Sequence, residues 1–404
     1  MELLIALGIA PLTLLTFCFG IELLVGIRPL RRKAVPPSTA SGAIIVPAHD
    51  EAAIIGDRLR LLIHAVRHRA TIVVVADNCT DSTAAIARSL GVEVFERNDP
   101  SRRGKGFALD FAREHLKNNP PDVVLIIDAD CVTDYESVSS LIAVCASTGL
   151  PCQATNIQLP TPDSSPAVQL STFAFFIKNV IRQRALQRIA GRAQLLGTGM
   201  AFPWSIFARA ELATGHIVED LKLGQELASI GHPPLLVEEA TICSDAETDT
   251  NTLSQRRRWE GGFLQNAIRV APGILLRSLA RGDVRSMWAA TNLMIPPVAL
   301  LVLLDFLLLG FGAVAVCVAR ARSWPLIILA GVLAFAGLAL ALAWRAGGSR
   351  FVNRQGLARI PVYLMWKLPL YLGLASQGAP KQWTRTRRSD EEPAIKAGNE
   401  RKRH

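Results

Sequence analysis

Apolar positions fall into two regimes along this chain. Over residues 3–27 they run almost unbroken for about the length that crosses a bilayer, and the same density returns at 298–318 and 325–343, neither of which contains Lys or Arg. Between these blocks the pattern changes after a short linker at 36–41. Short β-branched runs at 43–47, 71–76, 92–95 and 123–127 are separated by stretches of helical spacing such as 51–67 and 105–116. That alternation predicts an α/β domain with a mostly parallel sheet covered by helices. Ligands in such sheets bind beyond the carboxyl ends of the strands, and Glu51, Asp77 and Asp128 stand just past predicted strand ends. Residues 151–266 keep a mixed and more polar character.

Charge orients the apolar blocks. Arg28, Arg31, Arg32 and Lys33 follow the first block directly, which places that end in the cytoplasm. A cleaved signal peptide carries its positive charge before the apolar run, so the reversed order here predicts a retained anchor. Glu22 inside that span is expected to reach the interface or to face another helix. Arg269, Arg277, Arg281 and Arg285 precede the second block, and Arg345, Arg350 and Arg354 follow the third, whereas the loop between them holds only Arg320 and Arg322. Both basic flanks are therefore expected inside. Two interrupted stretches, 275–294 ending at Pro296-Pro297 and 360–377 with Pro361, Lys367 and Pro369, read as helices lying in the interface.

The expected organisation is an anchor over 1–34, a catalytic domain over 35–270, an interfacial segment over 271–297, two transmembrane helices within 298–344, and an interfacial helix with a basic tail over 345–404. A multi-pass protein of a bacterial inner membrane, with its catalytic domain cytoplasmic, fits this pattern. Composition agrees: half of the 404 residues are apolar, and 44 Lys and Arg against 34 Asp and Glu leave a net charge of +10. A basic balance suits nucleic acid, anionic lipid or phosphorylated substrates. The position of the cations beside the spans selects lipid headgroups and phosphates, and no nucleic-acid partner is expected. Seven scattered Cys without ligand spacing indicate neither a zinc site nor a disulfide framework.

Candidate chemistry sits at the predicted strand ends. Asp128-Ala129-Asp130 follows the apolar run 123–127, so its carboxylates emerge where they can hold a hard divalent cation against a diphosphate. By itself Asp-x-Asp is equally a solvated acidic loop. Upstream, Pro47-Ala48-His49-Asp50-Glu51 and Asp77 provide carboxylates able to accept hydrogen bonds from a base or ribose. Asp81-Ser82-Thr83 reads better as a helix cap. Arg103-Gly104-Lys105-Gly106 opens a helix and can cradle a diphosphate, or can be a plain basic turn. Gly197-Thr198-Gly199-Met200 is a turn of small residues that a sugar could approach. Glu219 and Asp220 precede a helical run, where they would at least complement its dipole. Gln255, Arg258 and Trp259 set cations beside an aromatic plane, suited to a leaving diphosphate and a sugar ring or to anchoring at the interface.

In this order the motifs resemble the inverting family 2 glycosyltransferases, which include the cellulose, chitin and hyaluronan synthases. The resemblance covers roughly residues 43–266 and the flanking spans. It implies a GT-A-like domain with Mg2+ or Mn2+ as cofactor, a nucleotide sugar as donor, expected to be UDP-linked, and a glycan or lipid-linked acceptor. By the same resemblance Pro47, Ala48, His49, Glu51, Asp77, Lys105, Asp128 and Asp130 contact the donor nucleotide, and Asp130 and Asp128 hold the metal. Asp220, with Glu219 beside it, takes the place of the general base. Gly199, Gln255, Arg258 and Trp259 belong to the acceptor and leaving-group side. Where this chain has Asp50, the family commonly has Asn. A membrane-bound nucleotidyltransferase or a nucleotide-binding transport protein would share the strand-end acids. The first has no use for Gln-x-x-Arg-Trp beside a membrane, and the second would need more spans.

Overall fold

The computed structural model describes residues 2–31, 38–161, 164–214, 218–246 and 249–378. Arg32 and Lys33, His216, and the basic tail from Lys381 to His404 lie outside the described residues. The chain opens with α1 (Glu2–Gly26), then alternates β1 (Gly42–Ala48), α2 (Ala52–Val66), β2 (Ala70–Asp77), α3 (Thr83–Ser89), β3 (Glu93–Arg97), α4 (Lys105–Leu116), β4 (Val123–Ile126), α5 (Tyr135–Thr148) and β5 (Cys152–Leu159). There follow α6 (Pro166–Phe176), a π-helical turn at Ile177–Ile181, α7 (Arg182–Ala190), β6 (Met200–Pro203), α8 (Trp204–Phe207), α9 (Glu219–Ser229) and β7 (Leu235–Asp245). All four strands expected between residues 43 and 127 form within a residue or two of their expected limits.

The described strands make one seven-stranded sheet in the order β3-β2-β1-β4-β6-β5-β7, parallel except where β6 runs against β4 and β5. It is a GT-A-like α/β fold. The alternation of side chains along β1 divides its core. Ile44 and Val46 pack on one face with Ile55, Leu59, Val138 and Leu141 of α2 and α5. Ile45 packs on the other with Leu109, Ala112, Phe202 and Phe207 from α4, β6 and α8. β1 and β4, at the centre, are buried along nearly their whole length, as expected of parallel strands covered on both faces.

Beyond the sheet come α10 (Asp249–Arg269), α11 (Ala271–Arg281), α12 (Val284–Met294), α13 (Val298–Ala319), α14 (Trp324–Arg345), α15 (Arg354–Leu357) and α16 (Ile360–Gln377). Among the described residues, α1, α13 and α14 are the helices long and apolar enough to cross a membrane. α1 packs against both of the others, while Leu7, Phe311, Val318 and Ile327 project outward unburied. Glu22 faces another helix: it is fully buried, with Arg182 Nε donating to its Oε2 at 2.6 Å and Asn292 Nδ2 to its Oε1 at 2.6 Å.

The stretch expected as one interfacial helix over 275–294 is divided. Gly282, at φ +64, ends α11, and the Asp283 carboxylate accepts from Ser286 N to start α12. The inner face of α12, with Ala289, Ala290 and Asn292, is buried on α7 and α1. α16 forms over the expected residues and packs against α6, α10 and α13.

Candidate active site

A cavity of about 220 Å³ opens beside the carboxyl end of β4. Its floor begins where β4 ends and the chain turns: Cys131 N donates to Asp128 O at 3.0 Å, which brings both carboxylates of Asp128-Ala129-Asp130 to the opening. Lys105 comes from the first turn of α4 after Gly104, whose φ of 136° suits only glycine. Its ammonium pairs with Asp128 and also donates to Gly197 O at 2.8 Å. Burial works against that charge, but Asp128, then Glu219 and Asp220, raise its pKa above the ordinary lysine value.

Glu219 and Asp220 form the first turn of α9 and line the same cavity. Burial, with Asp220 next to it, pushes the Glu219 carboxyl up to about 8. Burial raises Asp220 as well, against the lowering effect of its backbone hydrogen bond, Lys105 and Lys178. Both carboxyls are thus held above their ordinary values, chiefly by burial. Gln255, Arg258 and Trp259 line the same cavity from α10.

Arg256 points inward beneath them. It donates to Ser171 Oγ and Gln158 Oε1, each at 2.9 Å, and lies over the rings of Phe175 and Trp259 at 5.0 and 5.2 Å. Arg257 instead reaches Gln377 Oε1 at 2.6 Å and ties α10 to the end of α16.

Not every motif residue faces this cavity. Pro47, Ala48, His49, Glu51 and Asp77 gather at the ends of β1 and β2, on the same edge of the sheet but outside the cavity lining. There Asp77 is buried against Arg97 Nη1 at 2.6 Å, and its carbonyl meets His49 Nδ1 at 2.7 Å. Glu51 N donates to Thr83 Oγ1 at the start of α2. Asp81 was expected as a helix cap; the N-cap position of α3 falls to Ser82 instead, and the Asp81 carboxylate, one residue earlier, accepts from the N–H groups of Thr83 and Ala52, tying together the starts of α3 and α2.

Asp50 has φ +53 and its carboxylate accepts from Thr80 N at 2.6 Å. Asn and Asp are the side chains that tolerate that backbone region, which accounts for either at this position. Gly199 does not line the cavity. A Cβ there would lie 2.6 Å from Ile242 Cγ1 and 2.9 Å from Ala154 Cβ, so Gly199 serves sheet packing. Gly197 is the glycine at the site: a Cβ on it would sit 3.3 Å from Asp220 Oδ2.

Among the cavity residues that carry no sequence motif are Asn156 and Gln158 from β5, and Lys178 from the π-helical turn. The one signal for Lys178 was its isolation, since it is the only charged side chain between Pro166 and Ile181.

With this geometry in hand, a sequence model of the glycosyltransferase-like family 2 matches residues 40–262, more than half of the chain. The chain belongs to that family. No curated protein matches it in sequence. Among solved structures, this family 2 glycosyltransferase is similar to the mannosyltransferase PcManGT from Pyrobaculum calidifontis, in complex with GDP-Man and Mn2+. The two share 17% identity over 92% of this chain and 98% of that one, with a TM-score of 0.54. Glucosyl-3-phosphoglycerate synthase from Mycobacterium tuberculosis, in complex with Mn2+, UDP and phosphoglyceric acid, matches at 17% identity over 57% of this chain and 86% of that one, with a TM-score of 0.39.

Proposed function

We propose that this glycosyltransferase acts at a membrane, moving a sugar with inversion from a nucleotide-sugar donor to a glycan or lipid-linked acceptor on the cytoplasmic side. One observation carries the reading. A single cavity joins the strand-end acids Asp128 and Asp130, the Lys105 ammonium, the Glu219–Asp220 pair and the Gln255, Arg258 and Trp259 wall. These are the parts that hold a diphosphate, take a proton and bind a ring.

The donor set at Asp128 and Asp130 suits a hard divalent cation. Ligand atoms of Asp128, Asp130 and Cys131 all lie within 4.8 Å of one another. Burial and the two neighbouring acids hold the Cys131 thiol well above its ordinary pKa, so it stays protonated and the site presents carboxylate oxygens. Mg2+ or Mn2+ fits such a site, and the complex of PcManGT with Mn2+ and GDP-Man accords with it. When bound, the cation neutralises charge on the donor diphosphate.

The chain's own residues supply the remaining steps. Lys105 holds the diphosphate from the helix start, and Asp77, His49 and Glu51 at the neighbouring strand ends receive the nucleoside. Asp220 takes the proton of the acceptor hydroxyl as its oxygen bonds to the anomeric carbon and the bond to the diphosphate breaks on the opposite face, which inverts the centre. A base so placed contributes roughly a hundredfold to ten-thousandfold. Arg258 faces the departing charge and Trp259 the acceptor ring.

The test incubates the purified full-length protein with a panel of nucleotide sugars and membrane lipids and identifies products by mass spectrometry. Transfer or hydrolysis of a nucleotide sugar supports the reading. Nucleotidyl transfer to a lipid or sugar in place of glycosyl transfer would overturn it.

A further inference from the structure

Lys178 is used by none of the steps above, and its surroundings are unusual for a lysine. It sits in the π-helical turn Ile177–Ile181, within a segment whose other side chains are mostly buried and apolar. Such turns shift the side chains that follow and occur often at functional sites. The side chain lines the cavity with its Nζ 5.1 Å from the centre of the Phe263 ring. Among the described residues its ammonium has no hydrogen-bond or ion-pair partner, only the ring. An ammonium held in a buried site without a partner is costly, and the cavity is where one can arrive.

The two lysines of the cavity have different surroundings. Lys105 is already paired with Asp128 of the strand-end acids. Lys178 lies over the Phe263 ring in a lining that also includes Phe175 and Trp259, and the charges that act on it are Asp220, Arg182, Arg256 and Glu260. Asp220 feels both lysines. An acceptor hydroxyl presented to Asp220 therefore lies within the field of Lys178, on the aromatic wall carried by α6 and α10. Burial brings the Lys178 ammonium down to about 8, so at neutral pH it is still mostly charged.

We propose that Lys178 is an acceptor-binding residue that takes an anionic oxygen, of a phosphate or carboxylate group, carried by the acceptor itself. The inference rests on the glycosyltransferase reading and deepens it: the acceptor is an acidic molecule rather than a neutral sugar. The anionic group could belong to a membrane lipid or to a soluble saccharide, and the two sources are separated by the assay.

The experiment uses the full-length protein in lipid nanodiscs with the donor found by the panel. Three acceptors are compared: a polyprenyl phosphate in the nanodisc, a soluble sugar phosphate or uronate, and an uncharged alkyl glycoside. Lys178→Met keeps the apolar stem and removes the charge, and Lys178→Arg restores a cation.

Loss of one charge-assisted contact should raise the KM for the anionic acceptor on the order of 10-fold to 100-fold. Donor KM should stay within about twofold. Lys178→Arg should recover most of the loss. Removing a buried cation without a partner should leave the melting temperature equal or higher, which separates the role from a structural one. Activity on the polyprenyl phosphate alone assigns the group to a lipid, and activity on the soluble compound alone assigns it to a saccharide.

A wild-type enzyme that uses only the uncharged glycoside, or a Lys178→Met variant with unchanged KM, overturns the proposal. So does a donor KM raised as much as the acceptor KM, which would move Lys178 to the donor side. A wild-type protein that neither hydrolyses nor transfers any nucleotide sugar sinks the underlying reading instead.

Discussion

The proposed function gives Asp130 and Asp220, two carboxylates of one cavity, separable tasks, and single substitutions distinguish them. Asp130→Ala should abolish turnover that depends on a divalent cation while the protein still folds, since the side chain belongs to a cleft and not to the core. Activity titrated with Mn2+ and Mg2+ checks this, and wild-type rates at every metal concentration would show the site misassigned. Asp220→Asn keeps shape and hydrogen bonding but removes the base, so transfer should fall by roughly a hundredfold to ten-thousandfold with donor affinity little changed. Calorimetry of nucleotide binding beside a transfer assay reads both quantities. Glu219 adds a dependence on pH. Its folded pKa, near 8, lies above the ordinary 4.5, so through that window the folded chain binds more protons than the unfolded one and stability falls as pH rises. Melting temperatures should therefore drop between about pH 5 and pH 8, and drop less in Glu219→Gln; parallel curves would contradict the burial of this acid. The strand-end acids were legible because each follows an apolar run, and Gln255, Arg258 and Trp259 because their spacing is distinctive. Lys178, Asn156 and Gln158 were not, since a π-helical turn and an edge of β5 leave no periodic signal. The exchange of Gly199 for Gly197 was equally hidden: both have positive φ, and only packing shows which one meets the sheet.

At the scale of elements, β1 to β4 could be read from short β-branched runs because parallel strands buried on both faces need such sequences. β5, β6 and β7 were not individually legible, since Gln153, Asn156 and Gln158 break the apolar pattern of β5 while bonding or lining what lies beside it. The division of α11 from α12 turned on the cap at Asp283. The placement of α10 depends on partners distant in the chain. Glu260 follows Trp259, and its carboxylate takes Lys367 Nζ at 2.5 Å and the Tyr371 hydroxyl at 2.9 Å, both from α16. Lys367 is fully buried. Removing one member of a buried pair strands the other, at a cost of about 3–5 kcal/mol. Lys367→Met should accordingly lower the melting temperature in detergent and reduce transfer by displacing Trp259, although residue 367 lies more than a hundred positions from the motif. The double variant Lys367→Met with Glu260→Gln should regain part of the stability, because the Glu260 carboxylate is then no longer left without Lys367. If the single and double variants melt alike, the pair does not hold α10 in place.

For the molecule as a whole, the arrangement relative to a membrane decides which nucleotide pool the cavity meets. In the proposed arrangement the charge bias along the sequence sets the amino terminus outside, with the segments after α1, before α13 and after α14 inside. That arrangement requires the chain start and the loop between α13 and α14 to lie at one end of the helical group. The Glu2 carboxylate at the start of α1 accepts from Arg322 N at 3.2 Å and from Trp324 Nε1 at 3.3 Å, so the chain start and the loop between α13 and α14 share one end of the helical group. At the other end Arg188 of α7 donates to the carbonyls of Val25 and Arg28 at 2.8 and 2.6 Å, binding the exit of α1 to the catalytic domain. α16 bears on the same question: its inner face, with Tyr363, Lys367 and Leu370, is buried against the protein, while Val362, Met365 and Leu372 remain exposed. An 18-residue helix with Pro369 inside it and one apolar face turned outward suits the interface. A single Cys introduced at Ser323 should therefore react with an impermeant maleimide added to intact cells, while one introduced on the surface of the catalytic domain at Glu114 should react only after lysis. A reporter fused after His404 should be active only if it functions in the cytoplasm. An outside reporter with a protected catalytic domain would mean that α16 crosses the membrane. Labelling at Glu114 in intact cells would place the cavity away from cytosolic nucleotide sugars and overturn the proposed donor.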